Sequence, residues 1–142
     1  MVEVPRLLEG VLVVRGYPLE MVLAEKIVTA IARGTTNTRW RDFLDIYTLV
    51  QHHGMASETL RQSLQRVAQY LDIALSSLSA VLAGYADIAQ QRWFAWLRKQ
   101  RLDSIVPKEF SVVLQGVIVF ADPVIVGGVI TGAWNPVDQC WE

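Results

Sequence analysis

Residues 17–50, YPLEMVLAEKIVTAIARGTTNTRWRDFLDIYTLV, read as two helices joined by a short polar loop. Pro18 suits a first helical turn, where its missing N–H costs nothing. Glu20 complements the positive end of the helix dipole, and Gly34 after Arg33 is a C-terminal stop. The spacing predicts a helix over 18–33 with Leu19, Val22, Leu23, Ile27, Ala30 and Ile31 as its apolar stripe. After a loop of small polar residues, with Thr38 as N-cap, a second helix is expected over 39–53, ending at Gly54. Trp40, Phe43, Leu44, Ile46, Tyr47, Leu49 and Val50 make this helix apolar over most of its circumference, so it should be largely buried.

Working outward, the run at 11–14, between Gly10 and Gly16, suits a short strand whose pairing partners lie elsewhere. Ser57 is expected to cap a third helix over 58–72, with Leu60, Leu64, Val67, Ala68 and Leu71 inward. Residues 73–84 read as irregular or a short helix. A fourth helix is expected over 85–101, with Ile88, Ala89, Trp93, Trp96 and Leu97 inward. A fifth opens at Pro107 and should stop at Asp122-Pro123, because the residue before proline avoids the α region. Asn135-Pro136-Val137-Asp138 reads as a turn between Trp134 and Trp141, hence a small C-terminal hairpin. The expected fold is mainly α: one helical domain over 1–142, with an extended lead-in at 1–16, a compact helical bundle at 17–122 and an extended tail at 123–142.

Composition narrows the function classes. The chain has 142 residues, is 52% hydrophobic and only 19% charged, and its net charge is -1. A core of this size needs no disulfide. The surplus of apolar residues fits either an unusually rich core or a surface meant for a partner. The charge balance gives no global nucleic-acid signature. Cys140 is the single cysteine, which excludes an intrachain disulfide and a cysteine metal cluster and is compatible with a reducing cytoplasm. The first residues lack the basic start and apolar core of a signal peptide. The most apolar window, 112–130, is broken by Asp122-Pro123 and glycines, so no membrane span is expected.

Three charged residues in the opening stretch resist a pure packing account. Lys26 lies beside Val22, Leu23 and Ala30 by helical spacing. It is either a lysine with a packed stem and its amine in water or an amine held in a partly buried site to meet a phosphate. Asp45 is explained by an i, i+4 pair with Arg41. Asp42 flanks Ile46 and Leu49 on a buried helix, and a buried carboxylate needs a partner, for which Lys26, Arg39 or Arg33 would serve. Elsewhere, Arg92, Arg98, Lys99 and Arg101 join Trp93, Phe94 and Trp96 in a basic–aromatic segment. Core tryptophans with cations matching a helix C-terminus explain it without a ligand; RNA contact through phosphates and stacking is the alternative. His52-His53 reads as a polar helix end. No phosphate-binding glycine loop, GxSxG elbow or zinc pattern is present in the sequence.

The run YPLEMVLAEKIVTAIARGTTNTRWRDFLDIYTL, with its AEK…RD..D combination, resembles the AbiEii/AbiGii-type nucleotidyltransferase toxins of bacterial type IV toxin–antitoxin systems. The tail FADPVIVGGVITGAWNPVDQCW looks like the end of actinobacterial members. The resemblance implies a bilobed enzyme with a polymerase-β-like N-terminal lobe and a helical C-terminal lobe. It implies transfer of a nucleotide, in some members onto tRNA, with Mg²⁺ and a nucleoside triphosphate, opposed by a cognate antitoxin. Carried over by residue, Lys26 matches the lysine motif and is implied to contact nucleotide phosphates. Asp42 matches the aspartate of the arginine–aspartate motif, and Asp45 its second acidic position. Arg33, Arg39 and Arg41 are candidates for nucleotide or RNA contact.

The sequence departs from the family pattern at its start. The family's Gly-Ser turn followed by an Asp-x-Asp-like pair carries the metals, and the residues before Tyr17 contain neither; Glu3 and Glu9 do not substitute at that spacing. The expectation is therefore the C-terminal lobe of such an enzyme, truncated, split or mis-started, with no metal ligands of its own and inactive alone. The alternative from another class is a non-catalytic interaction module that binds an antitoxin, RNA or a partner lobe.

Overall fold

The computed structural model describes residues 18–127 and 132–142; the expected lead-in and its strand at 11–14 lie outside them. The described residues form α1 (Leu19–Arg33), a 3-10 turn (Gly34–Thr36), α2 (Trp40–His52), α3 (Ser57–Leu71), the short α4 (Leu78–Val81), α5 (Tyr85–Lys99) and α6 (Phe110–Ile125). A two-stranded antiparallel hairpin follows, β1 (Trp134–Asn135) and β2 (Cys140–Trp141). The protein is mostly helical with a short C-terminal hairpin, as its periodicity predicts.

α6 is the axis. It packs against α2, α3, α4, α5 and β2, and it buries Phe110, Val113, Leu114, Val117, Phe120, Ala121 and Val124. α1 lies along α3. Two aromatic clusters sit at the two ends of α6. At its N-terminus, Phe110 meets Trp40, Phe43, Tyr85 and Trp93, with ring centroids 5.8, 5.4, 5.5 and 5.0 Å away. Toward its C-terminus, Phe120 meets Trp134 at 4.9 Å and Trp141 at 5.4 Å. The hairpin is fastened by polar groups as well. The Trp134 indole N–H donates to the Val50 carbonyl and the Trp141 indole N–H to the Phe120 carbonyl, at 2.7 and 2.9 Å. The turn forms because the Asn135 side-chain oxygen accepts the N–H groups of Val137 and Asp138.

Several expected boundaries move, each for a local reason. Pro18 is the N-cap of α1 rather than its first residue, and its carbonyl accepts from Met21 and Val22. Thr38 does not cap α2: Arg39 occupies the cap position, and Asn37 makes the turn by accepting the Arg39 N–H at 2.7 Å. Ser57 is the first helical residue of α3 and not its cap; Ala56 precedes it in a β-bridge with Ala133. α5 ends at Lys99, and its inward stripe is Tyr85, Ala89, Trp93 and Leu97. Ile88 is not inward but 70% exposed, and Trp96 is half-buried.

The last helix differs at both ends. It starts at Phe110, not Pro107, because the Pro107 and Lys108 carbonyls accept side-chain donors, Trp93 Nε1 and Gln90 Nε2. It runs through Pro123 to Ile125, past the expected stop and past the bundle–tail boundary placed at 122. Val124, buried on the same face as Phe120 and Ala121, gives the chain a reason to continue helical. Asp122 instead reaches back to α4, accepting the N–H groups of Leu78 and Ser79 at 2.6 and 3.1 Å. It supplies the acceptor and the negative charge that a helix N-terminus lacks.

Candidate functional site

The charges in the opening stretch converge where α2 folds back on α1. Gly34, at a positive φ of 57°, ends α1, and the 3-10 turn reverses the chain within a few residues. Lys26 is two turns before the end of α1, and Asp42 and Asp45 are on the first turns of α2. The Lys26 amine lies 3.2 Å from Oδ1 of Asp42 and 3.0 Å from Oδ2 of Asp45. The first is a hydrogen bond; the second is a close ion contact. The other oxygen of Asp42 takes the Arg39 Nε–H at 2.7 Å. Both carboxylates are buried and the Lys26 side chain is only 18% exposed, while Arg39 is half-exposed. The result is a four-residue chain, Arg39–Asp42–Lys26–Asp45, balanced in charge and open at the arginine end.

Burial, the largest influence, raises the Asp45 carboxyl above its ordinary 3.8, opposed chiefly by Lys26 and then by Arg41. The expected pairing of Asp45 with Arg41 is replaced by the contact with Lys26 across the helix–helix interface. Arg41 lies over the half-buried Trp96 ring of α5, 5.4 Å from the centroid. Arg33 is exposed at the end of α1, outside this chain of contacts.

Sequence reasoning passes over two residues. Asn37 is 2% exposed despite being in a loop. Its side chain fixes the Arg39 backbone, and its carbonyl accepts the hydroxyl of Tyr85, buried on α5. Tyr85 is thereby a strut between α5 and the loop that carries Arg39. Burial pushes its phenol up to about 12 from 10.0, against a smaller opposing influence of Arg92. Tyr85 lies on the inward stripe of α5, but its bond to Asn37 carries no periodic signal, since the two are 48 positions apart. A spectrophotometric titration should show a tyrosine ionising near 12 that is absent in Tyr85→Phe. The stability that Tyr85 contributes is complete below pH 10 and lost as pH rises through about 12. Tyr85→Phe, which leaves the Asn37 carbonyl without its donor, is expected to cost about 1–2 kcal/mol in chemical denaturation.

A magnesium ion fits poorly here. Lys26 already lies between the two carboxylates, and an ammonium in that position repels a divalent cation. Among the described residues no group of three histidine, cysteine, aspartate or glutamate side chains is placed to hold a metal, and none of their helices is long and apolar enough to cross a membrane. What the arrangement can do is hold one amine rigidly at the edge of a surface and present an arginine beside it.

Compared with known proteins, residues 1–115 match the family model described as nucleotidyl transferase AbiEii toxin, type IV TA system. The chain belongs to the AbiEii family. The match spans the Lys26–Asp42–Asp45 constellation and ends within α6. No curated protein and no solved structure gives a match. Membership makes the chain a toxin-type nucleotidyltransferase relative whose system includes an antitoxin partner, and ties it to nucleotide and metal chemistry in general. Which AbiEii residues act here rests on the geometry above.

Proposed function

We propose that this chain supplies the lysine–aspartate wall of a nucleotidyltransferase site that transfers a nucleotide onto tRNA in the cytoplasm. The observation that carries the reading is the Lys26 amine held between two buried carboxylates, Asp42 and Asp45, within the segment the family match spans. Lys26 is the group that meets the nucleotide phosphates. Asp42, held on its other side by Arg39, fixes the amine's position. Asp45, with its raised carboxyl, governs how much of the Lys26 charge remains available to a phosphate. Arg39, and Arg41 beside Trp96, approach the nucleotide or RNA from the exposed side; Arg33 is the outlying candidate.

The sequence contains no Gly-Ser turn followed by an Asp-x-Asp pair. In this reading the carboxylates that hold Mg²⁺ come from outside these 142 residues, and the chain by itself does not transfer nucleotides. The test is to incubate it with tRNA, labelled nucleoside triphosphates and Mg²⁺. The expected result is no labelling above background; robust labelling that vanishes in Lys26→Ala would overturn the claim of dependence on an outside group.

One observation favours a second reading, an interaction module. A largely apolar cleft of about 400 Å³ between α1 and α3 is lined by Met21, Val67, Tyr70 and Leu71, and Tyr70 is 86% exposed. As a module the chain would bind its antitoxin there. Co-purification with the antitoxin that is lost in Tyr70→Asp but kept in Lys26→Ala would support it.

A further inference from the structure

Tyr85 carries a hydroxyl that its place in the core does not call for. It is the first residue of α5 and 1% exposed, and its ring is seated among Trp40, Phe43 and Phe110, with centroids 6.2, 6.0 and 5.5 Å away. A phenylalanine would fill that space equally well, and a buried hydroxyl costs free energy unless it is bonded. The hydroxyl donates to the Asn37 carbonyl, while the ring stacks on Trp40 with the two planes 15° apart. One side chain of α5 thus holds residues 37 and 40, on either side of Arg39.

Arg39 needs holding from outside. It is the N-cap of α2, with φ -90° and ψ 69°, neither helical nor extended, and its side chain makes no cap bond. Its N–H goes to the Asn37 side-chain oxygen at 2.7 Å. From there it meets Asp42 twice: the Arg39 carbonyl accepts the Asp42 N–H at 3.0 Å, and Nε donates to Oδ2 at 2.7 Å. The other carboxylate oxygen of Asp42 accepts from the Lys26 amine at 3.2 Å. A continuous run of bonds therefore leads from α5 through Asn37, Arg39 and Asp42 to Lys26. The Arg39 side chain is half-exposed. An exposed arginine loses side-chain entropy when it stays on one carboxylate, and a fixed backbone beneath it lowers that cost.

We propose that Tyr85 is a positioning residue for Lys26: its hydroxyl, through the Asn37–Arg39 loop, fixes Asp42 and so the point at which the Lys26 amine meets a phosphate. The inference rests on the nucleotidyl-transfer reading for the phosphate, but not for the positioning itself. Tyr85 touches no reacting atom and acts from another helix. Such distant control matters because a misplacement of about 1 Å can cost about a hundredfold in rate.

The test is nuclear magnetic resonance of the Lys26 ammonium in the full chain, where ion pairs slow the exchange of its protons with water. The signal is assigned by its loss in Lys26→Arg. Tyr85→Phe keeps the ring and removes only the hydroxyl. It is expected to speed exchange of the Lys26 ammonium protons about two- to tenfold, the range for losing one hydrogen bond, and to weaken binding of inorganic tripolyphosphate by a similar factor. Arg39→Gln should do the same, and Tyr85→Phe should add little to it, because the effect passes through Arg39. Val124→Ala opens a cavity toward the other end of α6. It should lower stability and leave the ammonium signal unchanged, which separates positioning from general loosening. A Lys26 signal unchanged in Tyr85→Phe, an equal change in Val124→Ala, or full additivity of Tyr85→Phe with Arg39→Gln would each overturn the proposal. A wild-type chain whose Lys26 signal responds to Tyr85→Phe but which binds no tripolyphosphate would instead count against the phosphate reading alone.

Discussion

Lys26→Met is expected to destabilise the protein by about 3–5 kcal/mol at neutral pH, the range for breaking a buried ion pair from one side. Asp42 retains Arg39, but Asp45, 3% exposed, is left without its nearest cation. The cost comes from an uncompensated buried carboxylate and should therefore depend on pH. The folded-state carboxyl is already above its ordinary 3.8 because of burial, and Lys26 is the leading influence pulling it down. In the variant it rises further. Folding then favours the protonated form, so the stability is present at low pH and is lost as pH climbs from 3.8 through the raised folded value. Urea denaturation at a series of pH values would show this as a slope much steeper than in the wild type; a pH-independent loss would contradict it. Adding Asp45→Asn to Lys26→Met should restore most of the lost stability, because the orphaned charge is then gone.

Phe110→Ala is the second large effect, about 3–5 kcal/mol for removing a fully buried phenylalanine. Its ring is in contact with four others, on α2 and α5, so little around the resulting cavity can collapse to fill it. Tyr85 rests on that ring, and through Tyr85 so does the Asn37–Arg39 loop. The loss should therefore appear in chemical denaturation, and the tryptophan near-ultraviolet signal should weaken, because Trp40 and Trp93 lose their common neighbour. Combined with Tyr85→Phe, the two costs should not add, since both loosen the same joint. Strict additivity would show that Tyr85 holds the loop independently of the cluster.

What is legible in the sequence follows the range of the signal. Pro18 and Gly34 bracket α1 because capping chemistry is local, and the apolar periodicity of α2 announces its burial. Lys26 and Asp42 are legible as a candidate pair because a short loop forces their helices together. The pairing of Asp45 escapes because the i, i+4 rule favours Arg41, whereas the structure gives Arg41 a tryptophan on another helix. Pro123 reads as a stop from its own chemistry. The helix continues because Val124 is wanted in the core and Asp122 is wanted by the Leu78–Ser79 backbone, 44 and 43 residues away. The bond between Tyr85 and Asn37 leaves no trace in any window, since a single hydroxyl reaching a distant carbonyl has no period.

The bond from the Trp134 indole to the Val50 carbonyl spans 84 residues. On a ribosome adding about 5–20 residues per second, the end of α2 waits about 4–17 s for the partner that seals it. Lys26 and Asp42 are only 16 residues apart. The partners of the candidate site are therefore all synthesised well before the hairpin that locks the scaffold. A nascent chain arrested before Trp134 should hold the α1–α2 charge cluster on an unlatched scaffold, and the latch makes it permanent only once Trp134 has been added.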